Sequence, residues 1–261
     1  MHLTHDHYPV LAVLALAMTI GSGCNGDDFE LNLFEGPSTG VATIDMDATM
    51  SALATESAMT RVVVSLHEDE FFGDDLFLSG GERLEATFGG QIQTLARDRA
   101  SSDFEYFADF PSSSSVDPIQ VRLFRADSSI VDSPIVFLRP DFSVTSPLTG
   151  QAADFMDVLL LEWTPAEPGE NMSVRLELTC MDLNGGITLR NVYQSFDDDG
   201  SASYDLSLFP EATDPIIDQA IDCMLDIEFT RVTVNSVAPP FGDGEFRTTQ
   251  SRTIEDIVVN F

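Results

Sequence analysis

Two short stretches limit what this chain can fold into: "SVRLELTC" at 173–180 and "CMLDIEF" at 223–229 alternate between apolar and polar residues. A period of two is the mark of a strand with one buried face. Val174, Leu176, Leu178 and Cys180 share one phase, and Cys223, Leu225, Ile227 and Phe229 share another. Both cysteines therefore fall on apolar faces, where a Cys180–Cys223 disulfide would join neighbouring strands or two packed sheets; two inert buried thiols are the alternative. For a loop of this size such a bridge contributes about 4 kcal/mol in the chain-entropy picture.

The same alternation recurs in "RVVVSLHE", "DLFLSG", "RLEATFGG", "DFEYFADF", "IQVRLFRA", "PIVFLRP", "DVLLLEWTP", "GITLRNVYQSF", "ASYDLSLF", "RVTVNSV" and "TIEDIVVNF". Clusters of Gly, Pro, Asp and Ser separate these runs, as in an antiparallel sandwich. "SFDDDGSASYD" is expected to form a hairpin turning at Asp199-Gly200. One short helix is expected over "TDPIIDQAID", with Thr213 or Asp214 as cap and Pro215 in the first turn. "DATMSALATESAM" is ambiguous between helix and strand. Roughly eleven to fourteen strands exceed one ordinary sandwich. The fold class is therefore all-β, with two consecutive antiparallel sandwiches over 43–140 and 141–261 and a boundary in "LRPDFSVTSPLTG". Pro140 and Pro147 would interrupt strand pairing there.

Charge removes several functions. There are 44 acidic residues against 12 cations, for a net charge of −32, and every cation is Arg. Such a surface repels nucleic-acid and lipid phosphates, so no nucleic-acid partner is expected and a membrane contact must be apolar or covalent. Without Lys there is neither Schiff-base chemistry nor a phosphate-loop lysine. A saline or divalent-rich setting would relieve the self-repulsion; a genome favouring Arg codons is the alternative reading. Of four histidines only His67 lies beyond residue 7, and it reads as the end of a strand. Catalytic residues are not expected, nor is a tightly bound cofactor.

The remaining candidates are acidic loops. Asp197 and Asp199 in "DDDG" are candidate calcium ligands, since calcium takes several oxygens from a flexible loop. The EF-hand pattern fails, because counting from Ser195 puts Leu206 where a bidentate Glu is required. "HEDEFFGDD" and "FGDGEF" read as solvated loops, with Phe71-Phe72 as a possible exposed aromatic contact.

At the N-terminus an apolar run, "YPVLAVLALAMTI", is too short to span a membrane comfortably. Gly21, Ser22 and Gly23 follow it, and then Cys24. This order resembles a bacterial lipoprotein signal peptide with its lipobox. Gly21 stands where that family usually carries Leu. The resemblance implies removal of 1–23, lipidation of Cys24, a polar tether over 24–42, and export to the cell envelope, with Asn25 favouring the outer membrane. The second half, with Ser146-Pro147 ahead of a strand carrying Trp163, resembles bacterial immunoglobulin-like or fibronectin-like modules. Trp163 precedes both cysteines, unlike the antibody arrangement, so only the sandwich architecture carries over. Together these readings imply a lipid-anchored envelope protein that binds, adheres or spaces, with a protein or polysaccharide partner. A carboxylate-based hydrolase of polysaccharide and a calcium-assisted carbohydrate-binding module are the alternatives.

Overall fold

The computed structural model describes residues 35–55, 58–68, 75–98 and 105–261, and the signal-like segment, Cys24 and Phe71-Phe72 lie outside them. Ten strands come from the first part of the chain: β1 (Glu35–Pro37), β2 (Met46–Ala54), β3 (Thr60–Glu68), β4 (Asp75–Phe77), β5 (Arg83–Phe88), β6 (Gln91–Thr94), β7 (Ala96–Arg97), β8 (Glu105–Phe110), β9 (Ile119–Phe124) and β10 (Ile130–Asp132). Eight follow: β11 (Ser143–Ser146), β12 (Ala152–Asp154), β13 (Val158–Thr164), β14 (Asn171–Met181), β15 (Ile187–Asp197), β16 (Ser201–Asp205), β17 (Cys223–Ser236) and β18 (Gly244–Asn260). Only short 3-10 turns interrupt them, and there is no α-helix among the described residues.

Period-two alternation builds two cores. In the first, Met46, Ala48, Met50, Ala52 and Ala54 of β2 and Val62, Val64 and Leu66 of β3 face Leu84, Ala86 and Phe88 of β5 and Ile119, Val121 and Leu123 of β9. In the second, Met172, Val174, Leu176 and Leu178 of β14 and Leu225, Ile227 and Phe229 of β17 face Leu159, Leu161 and Trp163 of β13. Each core lies between two sheets, so the protein is all-β and built as two sandwiches. Burying one such Leu, Val or Phe contributes roughly 1.5–3 kcal/mol.

One long sheet serves both sandwiches, in the order β1-β4-β3-β2-β18-β17-β14-β15. A four-stranded sheet, β10-β9-β5-β6, covers it in the first sandwich, and a three-stranded sheet, β11-β13-β16, covers it in the second. Pairing is antiparallel except where β1 meets β4, β2 meets β18 and β12 meets β18. The sequence divides at about residue 140, but the last hairpin crosses that division. Residues 244–250 of β18 pair with β2, while Ile257 and Val259 belong to the second core. Val237, Phe241 and Phe246 are buried in the first core, so "FGDGEF" is anchored by its two phenylalanines while Asp243 between them stays exposed. The expected tether also ends early, because Glu35–Pro37 is already strand β1.

Local chemistry explains the turns. Gly89 and Gly90 both have positive φ, +56° and +75°, which is the geometry of a two-residue hairpin between β5 and β6. The expected helix over 213–222 is absent, a correction with a plain cause. Asp214 and Asp218 each turn a carboxylate onto the N–H two residues ahead, on Ile216 and Ala220, and such local bonds compete with helix formation. Ile217 instead bridges to Asp182. The ambiguous segment at 47–59 is strand β2 through Ala54. "PIVFLRP" keeps only one bridge, between Val136 and Ile119.

Candidate functional site: the open face of the long sheet

The aspartate run is not the hairpin the sequence suggested. β15 pairs with β14, whereas β16 pairs with β13, so 198–200 carries the chain from one sheet of the sandwich to the other. The pull comes from inside. Asp198 is fully buried and accepts hydrogen bonds from the Trp163 indole N–H at 2.6 Å and from Arg231 Nε at 2.6 Å and Nη2 at 3.0 Å. Arg231, also buried, donates further to the Pro140 and Pro165 carbonyls and lies 4.8 Å from the Phe142 ring centre. Burial alone would push the Asp198 carboxyl up; the Arg231 and Trp163 hydrogen bonds outweigh it and hold it below the usual carboxylate range. Gly200, with φ of +93°, completes the turn.

The candidate calcium ligands are thus separated in role. Asp197 is exposed at the end of β15, Asp199 accepts from the Ser201 N–H at 3.2 Å, and the residue between them is committed to Arg231. Among the described residues no group of three or more His, Cys, Asp or Glu side chains is placed to hold a metal ion. His67 meets Asp75 at 2.7 Å beside β4. Cys180 and Cys223 are bonded. They face each other across adjacent strands, with Cα atoms 4.5 Å apart, the spacing of a non-hydrogen-bonded antiparallel pair. The bridge therefore joins neighbouring strands of one sheet.

A concavity of about 490 Å³ lies on the face of the long sheet turned away from the second core, across β14, β15, β17 and β18. Ser173, Arg175, Tyr193, Ser195, Glu228, Thr230, Val232 and Arg247 line it. Alternation explains the composition, since Leu176, Ile227 and Phe229 point inward and leave these residues outside. Tyr193 is 72% exposed and stands directly opposite Arg175 on β14. Arg175 is braced on three sides: it donates to Glu177, to Asn191 Oδ1 at 3.1 Å, and pairs with Glu228 at 3.7 Å. The hydrogen bond to Glu177 raises the Arg175 guanidinium above its ordinary value. Glu228 also accepts from the Ser251 hydroxyl at 2.8 Å, and Arg247 donates to Glu245 at 2.9 Å. The result is an open aromatic ring among fixed donors, acceptors and hydroxyls. Such a surface can stack on a flat ligand face while satisfying many polar groups. It is an open, shallow surface rather than an enclosed small-molecule pocket.

The alternation in "GITLRNVYQSF" predicts a strand but does not single out Tyr193. Its two phases, Ile187, Leu189, Tyr193 and Val192, Phe196, are both partly apolar, so alternation alone does not say which aromatic is outside. The usable signal was the partner strand, whose phase is unambiguous.

No protein-family model matches this chain, and no curated protein does. Among solved structures it is similar to a cytokine receptor complex, at 12% identity over 70% of this chain and 89% of that one, with a TM-score of 0.28. Fibronectin(III)-like modules of Clostridium thermocellum CbhA match at 11% identity over 80% and 94%, with a TM-score of 0.21. The Bacteroides ovatus SGBP-B of a mixed-linkage glucan utilization locus, in complex with a mixed-linkage heptasaccharide, matches at 11% over 89% and 69%, with a TM-score of 0.19. Overlaps this loose carry no functional weight.

Proposed function

We propose that this chain is a non-catalytic binding protein of the bacterial envelope, held to the membrane by a lipid on Cys24, whose open sheet face takes a polysaccharide chain. The observation that carries the reading is Tyr193, an exposed ring set opposite a braced Arg175 in a face that also offers hydroxyls, ion pairs and the side chain of Val232. Sugars present a C–H face to such a ring and hydroxyls to its surroundings. Glu177 and Glu228 share one arginine, which suits them to holding a ligand rather than to splitting acid and base roles across a cleft. The anchor rests on the lipobox-like order of residues 20–24. Among the described residues no helix is long and apolar enough to cross a membrane.

The test is affinity electrophoresis of the full chain through gels holding the uncharged polymers dextran, laminarin or hydroxyethyl cellulose. At least one gel is expected to retard the protein, and Tyr193→Ala to weaken that retardation about tenfold, equivalent to about 1.4 kcal/mol. Retardation by none of them, or equal retardation of Tyr193→Ala, contradicts the reading.

A further inference from the structure

We infer that the free edge of β15 is a docking strand for an extended, cationic segment of a partner protein, with apolar residues at alternate positions. The observation is independent of the sugar-binding reading. β15 ends the long sheet, and among the described residues no strand pairs with its outer side. Strand geometry says which groups are open. The Cys180–Cys223 pair has the narrow 4.5 Å spacing, so Cys180 directs its backbone N–H and C=O the other way, toward Thr188 on β15. The same phase continues into the turn, where Asp182 N–H meets the Gly186 carbonyl at 2.8 Å. By alternation, Ile187, Leu189, Asn191, Tyr193 and Ser195 direct their backbone groups outward. A run of such groups is a template for a further strand.

Side chains and charge select the occupant. Ile187 and Leu189 are 74% and 57% exposed, which is unusual on an edge strand that must remain unpaired. The cations of β15 and its neighbour are already used, Arg190 by Glu211 and Arg175 by Glu177. Asp182, Asp214 and Asp218 near one end, and Asp197 and Asp199 at the other, form no ion pair among the described residues; four of them accept backbone N–H groups instead. The field at this edge is therefore negative and unneutralised, on a chain of net charge −32. That disfavours a second copy and favours an incoming strand bearing Lys or Arg, with apolar side chains to cover Ile187 and Leu189.

The test uses the full chain and a fluorescent nine-residue peptide alternating Lys and Val, read by anisotropy. An alternating Glu–Val peptide is the charge control. A Lys–Val peptide N-methylated at alternate residues keeps its charge but cannot complete a ladder. Both are expected to bind at least about tenfold more weakly than the parent. Leu189→Pro removes an outward N–H that the sheet does not use and is expected to cause a similar loss with unchanged circular dichroism; Leu189→Lys, which leaves the backbone intact, is expected to do the same. Equal binding of the parent and N-methylated peptides, or undiminished binding by both variants, overturns the inference. A dimer of the free chain that Leu189→Lys converts to monomer also overturns it, by assigning the edge to a second copy.

Discussion

Each sandwich encloses an Arg–carboxylate pair, and the two pairs are put to different use. In the second, Arg231 and Asp198 are sealed, with side-chain exposures of 2% and 0%, and their remaining hydrogen-bonding capacity goes to Trp163 and two proline carbonyls. In the first, Arg125 meets Glu82 at 2.7 Å with exposures of 10% and 1%, beside an open cavity of about 430 Å³. There Arg125 also holds the Ser38 and Val41 carbonyls at 3.1 and 2.7 Å, while Ser38 donates to Glu82. The sealed pair fixes the path of the chain between two sheets; the rim pair clasps a loop. A buried pair is costly to desolvate and costlier to break, whereas water can replace a partner at a rim. The same chemistry thus carries different weight in the two sandwiches.

Several measurements would break or sharpen that contrast. The largest effect is expected from Arg231→Met, which strands the Asp198 carboxylate inside the core and should cost about 3–5 kcal/mol in urea unfolding. A loss under about 1 kcal/mol would mean that the pair is not sealed. Close behind, Cys180→Ala with Cys223→Ala should lower stability by about 4 kcal/mol. Its unfolding should strike the second sandwich first, read by Trp163 fluorescence. Arg125→Met should cost less than Arg231→Met, about 3 kcal/mol, because the cavity beside Glu82 lets water reach the carboxylate left behind, and a loss equal to that of Arg231→Met would erase the distinction.

The smallest effect is one of pH. Because the Asp198 carboxyl is depressed when folded, its stabilisation is fully present above the unfolded value of about 3.9. It is lost as pH falls through the depressed folded value. The melting temperature of the wild type should therefore drop more steeply below about pH 4 than that of Asp198→Asn. Parallel curves would show that Asp198 is not the group responsible.

How much of this was legible beforehand depends on where the partner lies. β14 and β17 are readable because each carries one apolar phase, and that phase also placed Cys180 and Cys223 together. β2 is not, since Ala, Met and Thr serve helices and strands alike, and its burial is decided by packing with β3 and β18. The turn at Asp198 misleads because the aspartate is claimed by Arg231, 33 positions away, which no local pattern encodes. The 213–222 segment misleads because Pro215 and spaced isoleucines imitate a helix start while Asp214 and Asp218 bond their own backbone. Tyr193 emerges as a site residue only once the paired register with Arg175 is known.

The central claim is that ligand binding belongs to the open face of the second sandwich. Hydrogen–deuterium exchange of the full chain, with and without the polysaccharide that retards it most, tests this directly. The account expects added protection confined to peptides covering 171–177, 191–196, 228–232 and 245–250, the strand segments beneath the concavity, and about tenfold more ligand needed to reach the same protection in Tyr193→Ala. Protection centred on β5, β9 or the loop at 38–43 would place the ligand on the first sandwich and contradict it.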